Sequence, residues 1–325
     1  MREVTLLAVG GTISSVEGAA GRPGATPQLD AAALSAGLPA ALRVEARSLR
    51  AVNGPQVTTA DALAVAREAV SETARGRGVV LTSGTDTIEE LAVLCDALAD
   101  AGPETPPIVV TGAIRPASAP GADGPANLID AASAAAAPVT AGLGAVVCFA
   151  GELHAARQVR KVDSTAPHAF GSPRSGSIGR VAEGCVDLVA RPVRGPRLDP
   201  RTLELAVPIV GTWLGDDGAL LAAALALEPD GLVLVALGAG HLPPLALGVL
   251  RAAGARPPVV LTTRPERGHQ LRATYGFEGS ERDVLATGVI EAAGLSAPAA
   301  RMLLLAALGS ERQGDALREV FGGLR

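Results

Sequence analysis

Aromatic side chains are scarce in this chain, with one Trp, one Tyr and four Phe among 325 residues. Hydrophobic residues nevertheless make up 48% of the sequence, so the core has to be packed from Ala, Val and Leu, and the length suits one large domain or two ordinary ones. Cysteine is equally rare. Cys95, Cys148 and Cys185 are odd in number, lie in apolar stretches and show no CxxC spacing; neither a disulfide framework nor a zinc site is indicated, and all three are expected as buried small hydrophobes. A block of basic residues is also missing. With a net charge of −5, the chain has no electrostatic footprint for nucleic acid or an anionic membrane, so neither is expected as a partner. The start, "MREVTLLAVGG", has too few apolar residues before its glycine pair for a signal segment or a membrane span, and a cytoplasmic protein is the expectation.

What is present is a rhythm. Short apolar runs ("VTLLAV" 4–9, "GVVLTS" 78–83, "PIVVTG" 107–112, "GAVVCFAG" 144–151) alternate with segments of helical period such as "TIEELAVLCDALAD" 87–100. Continuous rather than alternating hydrophobicity marks strands covered on both faces, hence a mostly parallel sheet flanked by helices. The pattern breaks at "RPVRGPRLDPRTLE" 191–204, where three prolines and four arginines read as an exposed linker. It restarts with "VPIVGTW" 207–213, a helix near 216–227, "GLVLVALG" 231–238, "PPVVLTTR" 257–264 and helices near 297–308 and 314–321. The expectation is a two-domain α/β protein: a larger N-terminal domain over 1–190, a linker over 191–205 and a smaller C-terminal α/β domain over 206–325.

Ligands of open parallel sheets bind where loops converge at the carboxyl ends of the strands. Those ends read "GGTIS" (Gly10 to Ser14), "SGTDT" (Ser83 to Thr87), "TGAIRP" (Thr111 to Pro116) and then "DGPANL" (Asp123 to Leu128). They supply hydroxyls, a carboxylate and glycines that let backbone approach a ligand. Neither GxGxxG nor GxxxxGK[ST] is matched, which argues against a phosphate loop. The plain structural role for "GTDT" is that Asp86 or Thr85 caps the helix that begins at Ile88.

One residue shifts the balance toward chemistry. Of 28 basic residues, 27 are Arg and one is Lys161. A solitary lysine suggests a position where a guanidinium does not serve, because an ammonium can give up its proton when suitably placed and a guanidinium in practice cannot. A Lys, an Asp and two Thr at the loop ends of one sheet suffice for a covalent hydrolase: a threonine nucleophile, an amine–carboxylate pair for proton transfer, and glycine amides for an oxyanion. GxSxG and HExxH are absent, and His154, His168, His241 and His269 have no metal-like spacing. No cofactor or metal is called for.

The segments "AVGGTIS", "LTSGTDTIEELA", "VVTGAIRP", "ADGPANLIDA" and "RKVDSTAPHAFGSP" together resemble the successive motifs of the bacterial-type L-asparaginases, including the glutaminase-asparaginases. "ALGAGHLP", "YGF" and "ARMLLLAALG" continue the family order to the C-terminus. The resemblance implies hydrolysis of the side-chain amide of L-asparagine, with Thr12 as nucleophile and Thr85, Asp86 and Lys161 as a second hydroxyl–carboxylate–amine set. It implies a substrate pocket formed by Gly11, Gly54, Pro55, Gln56, Gly84, Asp86 and Ala113. In it Asp86 holds the substrate α-ammonium, the Ala113 carbonyl faces the leaving amide, and backbone amides near Gly11 and Thr85 face the oxyanion. It further implies a homodimer or homotetramer in which His241 and the stretch 275–283 are the candidate contributions to a neighbour's site. Three positions depart from the family pattern. The segment 14–29 has no tyrosine, Gly54 stands where a serine usually binds the α-carboxylate, and His241 replaces an asparagine. Loss of one charge-assisted hydrogen bond is worth roughly 1.5–3 kcal/mol, so free asparagine should bind less tightly. A hydrolase of a related amide, and a non-catalytic sensor of the same fold, are the alternatives.

Overall fold

The computed structural model describes residues 2–18, 23–100, 102–254, 257–292 and 294–322. The chain divides into two compact units, 1–197 and 198–325. In the first unit, β1 (Val4–Gly10), a hairpin of β2 (Ser15–Glu17) and β3 (Ala25–Pro27), α1 (Ala31–Ser35), β4 (Val44–Val52) and α2 (Thr59–Ala74) come first. β5 (Gly78–Thr82), α3 (Ile88–Leu98), β6 (Ile108–Thr111), α4 (Gly124–Ala136) and β7 (Ala145–Phe149) follow. The unit ends with β8 (Glu152–Ala155), β9 (Arg160–Lys161), β10 (Phe170–Gly171), β11 (Gly179–Ala182) and β12 (Cys185–Leu188).

Eight of these strands form one sheet in the order β12-β11-β8-β7-β6-β5-β1-β4. From β4 to β7 every pairing is parallel, and β1, β5, β6 and β7 are buried along their whole length. Helices cover them, so side chains on both faces are apolar. From β7 to β12 the pairings are antiparallel. Two tight hairpins make that reversal. Ala150 and Gly151 (φ 49° and 76°) join β7 to β8, and Glu183 and Gly184 (φ 52° and 72°) join β11 to β12; paired left-handed residues match the right-handed twist of the strands they connect. The outer strand β12 is only partly covered, and Cys185 on it is exposed. That corrects the expectation of three buried cysteines: Cys95 and Cys148 are buried, with burial pushing the Cys95 thiol up to about 12, but a cysteine at the tip of an edge hairpin has nothing above it.

The segment 191–204 also departs from expectation. Its arginines are not simply solvated. Arg194 donates to the Asp96 carboxylate at 2.8 Å and to the carbonyls of Asp96, Ala99 and Asp100, and Arg191 donates to Val139 and Ala141 carbonyls. A guanidinium at the last turn of α3 satisfies its unpaired carbonyls and the negative end of its dipole, while Leu198 and Leu203 are buried.

The second unit contains β13 (Ile209–Gly211), α5 (Ala219–Ala226), β14 (Leu232–Ala236), α6 (Pro244–Ala253), β15 (Val259–Thr263), α7 (Glu281–Leu285), β16 (Ile290–Glu291), α8 (Ala297–Gly309) and α9 (Gly314–Gly322). Its four strands pair in sequence order, all parallel, around a core of Leu232, Leu234, Leu247, Leu261 and Val284. The molecule is thus a two-domain α/β protein, larger at the N-terminal side, with one wholly parallel sheet and one that turns antiparallel at its outer end.

Candidate active site

Four strand ends of the first unit point the same way. β4, β1, β5 and β6 are consecutive and parallel, so the segments that follow them, 53–56, 11–14, 83–87 and 112–116, emerge at one edge of the sheet. Glycines bring three of these segments into direct contact. Gly11 has φ +85°, and a Cβ there would lie 2.5 Å from the Gly84 nitrogen. A Cβ on Gly84 would lie 2.6 Å from the Gly54 nitrogen. Gly11, Gly84 and Gly54 therefore form a row; backbone touches backbone at Gly11 and Gly84, which only residues without a side chain permit, whereas a Cβ on Gly54 would meet Gly84 at an ordinary 3.6 Å. Thr12 and Thr85 each follow one of two touching glycines.

Thr85 begins the short 3-10 turn Thr85–Thr87 that leads into α3, and it is 7% exposed. Lys161 reaches it from β9. The ammonium Nζ donates to Thr85 Oγ1 at 2.9 Å and to Asp86 Oδ1 at 2.7 Å, forming a hydroxyl–ammonium–carboxylate chain. The Lys161 side chain is largely shielded, while that of Asp86 is 62% exposed, leaving its carboxylate open to a cationic partner. No side-chain cap closes the N-terminus of α3; Asp86 is turned to Lys161 instead, and the capping role does not hold. The acids in the first turn of α3 are Glu89 and Glu90, and Glu89 accepts the backbone N–H of Lys161 at 2.8 Å. Glu89 was not singled out in the sequence, where an acid at a helix start reads only as a dipole partner.

The loop after β6 is fixed from behind. Asp123 accepts from the backbone amides of Ile114 and Arg115 at 2.9 and 2.8 Å, and Asn127 donates to the Gly112 carbonyl at 3.0 Å. Ala113 between them is fully buried. The "DGPANL" motif thus acts on the geometry of the "TGAI" loop.

The remaining expected pocket residues are less uniform. The Gly11 N–H donates to the Val52 carbonyl at 3.0 Å, and its own carbonyl accepts from the hydroxyls of Ser14 and Ser15; both polar groups are engaged, and Gly11 contributes close approach. Gly54 is buried in the glycine row, whereas Pro55 and Gln56 are exposed. The Gln56 carboxamide oxygen accepts from the Asn53 N–H at 3.1 Å, closing the turn. The hairpin of β2 and β3 follows Thr12 with no tyrosine, and residues 19–22 of that segment lie outside the described residues.

In the second unit, His241 follows β14. Its Nε2 lies 3.3 Å from the carboxylate of the buried Glu281, and its ring meets Tyr275 and Phe277 edge-on at 5.2 and 5.1 Å. Burial pushes the Glu281 carboxyl up, but the amides of Tyr275 and Thr274 and the His241 ring together hold it below the usual range. Among the described residues no group of three or more His, Cys, Asp or Glu is placed to hold a metal, and no helix is long and apolar enough to cross a membrane.

Comparison with known proteins covers nearly the whole chain. The profile of the asparaginase N-terminal domain matches residues 3–194, and that of the glutaminase/asparaginase C-terminal domain matches 206–321. A probable L-asparaginase of Deinococcus radiodurans is 39% identical over 98% of this chain and 96% of its own length. An L-asparaginase of Bacillus licheniformis is 29% identical over 96% of this chain and 97% of its own. A probable periplasmic L-asparaginase of Haemophilus influenzae is 28% identical, with 98% and 92% covered. With both domain profiles matched in order, the chain belongs to the asparaginase/glutaminase-asparaginase family and is a hydrolytic enzyme of the asparaginase type, an amidohydrolase.

Proposed function

We propose that this chain hydrolyses the side-chain amide of L-asparagine to L-aspartate and ammonia through an ester on Thr12. The observation that carries the reading is the Lys161 ammonium, bonded at once to the Thr85 hydroxyl and the Asp86 carboxylate, two residues of a loop whose glycine, Gly84, touches the glycine before Thr12. In the first half of the reaction the Thr12 oxygen bonds to the amide carbon. Its proton passes through the acid–base set to the leaving nitrogen, the C–N bond breaks and ammonia departs. In the second half water adds to the ester, gives its proton to the same set, and aspartate leaves as the Thr12 hydroxyl is restored. Asp86, exposed on the side away from Lys161, takes the α-ammonium of the substrate.

The glycine at position 54 offers no hydroxyl to the α-carboxylate, so we expect a raised KM for asparagine relative to a pocket that has one. No cofactor or metal takes part in this reading. Ammonia release from L-asparagine, L-glutamine, succinamic acid and asparaginyl peptides, followed without added metal or nucleotide, tests it. Asparagine should be preferred to glutamine; folded protein that releases no ammonia from millimolar asparagine would reject the reading. Release from succinamic acid or peptides but not from asparagine would instead assign a related amide.

A further inference from the structure

Lys161 is carried by very little secondary structure. β9 and β10 form a ladder of only two residue pairs, Lys161 opposite Phe170 and Arg160 opposite Gly171, and so short a hairpin does not hold its own shape in water. Beside the Glu89 carboxylate on the Lys161 amide, what fixes it lies on the large sheet. Ser172, the residue after β10, is 6% exposed, and its hydroxyl lies 3.1 Å from Nδ1 of His154 on β8. His154 is 1% exposed. Two residues before Ser172, the Phe170 ring packs against Phe149 of β7 with centroids 4.8 Å apart. The return strand is thus pinned to the sheet by one polar and one aromatic contact, directly across from the lysine.

We infer that His154 is a positioning residue for amide hydrolysis: through Ser172 it fixes the β9–β10 hairpin, so that the Lys161 ammonium stays within hydrogen-bond reach of both Thr85 and Asp86. The inference rests on the catalytic reading of Lys161 above. Nδ1 and the Ser172 hydroxyl form this bond whichever of the two donates. Burial holds the imidazole below the ordinary histidine value, and Glu152 opposes that shift, which favours the neutral ring. The surroundings are otherwise sparse in charge: Glu152 on the same strand lies 3.6 Å from Nε2, Arg180 of β11 pairs with Glu152 at 3.2 Å, and the partner of His154 on β7 is Val147.

The test compares His154→Leu, His154→Asn, Ser172→Ala and the double variant His154→Leu/Ser172→Ala for asparagine turnover and melting temperature, with Lys161→Met in the same assay. An asparagine side chain places its carboxamide near the position of Nδ1 and so keeps the bond to Ser172. The expected result is a fall in kcat of about tenfold or more in His154→Leu and in Ser172→Ala, since small displacements of a reacting group are costly. KM should change by less than about twofold. The double variant should be no worse than the singles, and His154→Asn should recover most of the rate. If His154→Leu does not fold, Ser172→Ala, which removes one hydroxyl, decides alone. Wild-type kcat in Ser172→Ala, or His154→Asn no better than a folded His154→Leu, would overturn the inference. Wild-type turnover in Lys161→Met would reject the catalytic reading itself, whereas an inactive Lys161→Met beside fully active His154 and Ser172 variants would reject only the positioning role.

Discussion

Asp86 sits where a helix cap would sit, and the nearest cation takes it. Its carboxylate lies 2.7 Å from the only lysine of the chain; composition singled out that lysine in a sequence otherwise built with arginine, and the family resemblance grouped it with Asp86. Lys161→Arg is the sharpest single test of this set. The larger fork does not fit between Thr85 and Asp86 and does not release a proton, so kcat should fall about 10²–10⁴-fold, measured as ammonia release; a wild-type rate would remove Lys161 from the chemistry. Thr12→Ala and Thr85→Val should each abolish most turnover, and the double variant should be little worse than either, because residues acting as one unit do not contribute additively. What the sequence did not disclose at this scale is the support behind the set. The bonds from Glu89 to the Lys161 amide and from Asp123 to the amides of Ile114 and Arg115 join residues that carry no chemical signature of their own, and only the fold brings them together.

The strand ends of the parallel sheet were readable because buried parallel strands are apolar without interruption, as in β1 and β5. β4 was not, since as an edge strand it alternates exposed and covered residues. The hairpins from β8 to β12 were also hidden, being four residues or fewer each and joined by Ala-Gly and Glu-Gly turns that lack the usual Asn or Asp. Glycines in the motifs were legible as close approaches, but not which loops they bring together. The row of Gly11, Gly84 and Gly54 predicts a specific contrast. Gly84→Ala forces a methyl against Gly54 backbone and should cost about 1–3 kcal/mol by overpacking, with loss of turnover as the Thr85 loop is displaced from the Gly54 turn. Gly76→Ala, at positive φ (+82°) but facing open space, should cost about 1–2 kcal/mol and leave kcat unchanged. Thermal melts and turnover on both variants check it; an active Gly84→Ala enzyme would show that the contact does not set the site.

For the whole molecule, the division into two α/β units was visible in the break of rhythm at residues 191–204, but the anchoring of that segment by Arg194 was not, because an arginine-rich stretch reads as solvated until its carbonyl partners are known. Loss of stability in acid has an identifiable source in Glu72. Burial pushes its carboxyl up, yet hydrogen bonds from Thr5 and Arg75 and the charges of Arg47 and Arg75 more than offset this and hold it below the usual glutamate range. The folded state then binds its proton less readily than the unfolded chain. The associated stability is fully present above the ordinary glutamate value of about 4.3 and is lost as pH falls through the lowered one. Melting temperatures of Glu72→Gln should therefore lie below wild type at neutral pH and converge with it in acid; a constant offset would assign the difference to packing. We further propose an active unit of at least two chains, with His241 and the 275–283 segment at a neighbour's site. Sedimentation at assay concentration checks this, and a fully active monomer would contradict it.

Whether Thr12 carries the acyl group is read most directly by acid quenching of the enzyme during asparagine turnover, followed by proteolysis and mass spectrometry. An aspartyl ester is expected on the N-terminal peptide that contains Thr12, and none in Thr12→Ala. An ester found on the Thr85 peptide instead, or Thr12→Ala protein that still turns over asparagine at more than about a tenth of the wild-type rate, less than roughly 1.4 kcal/mol of barrier, would contradict that role for Thr12.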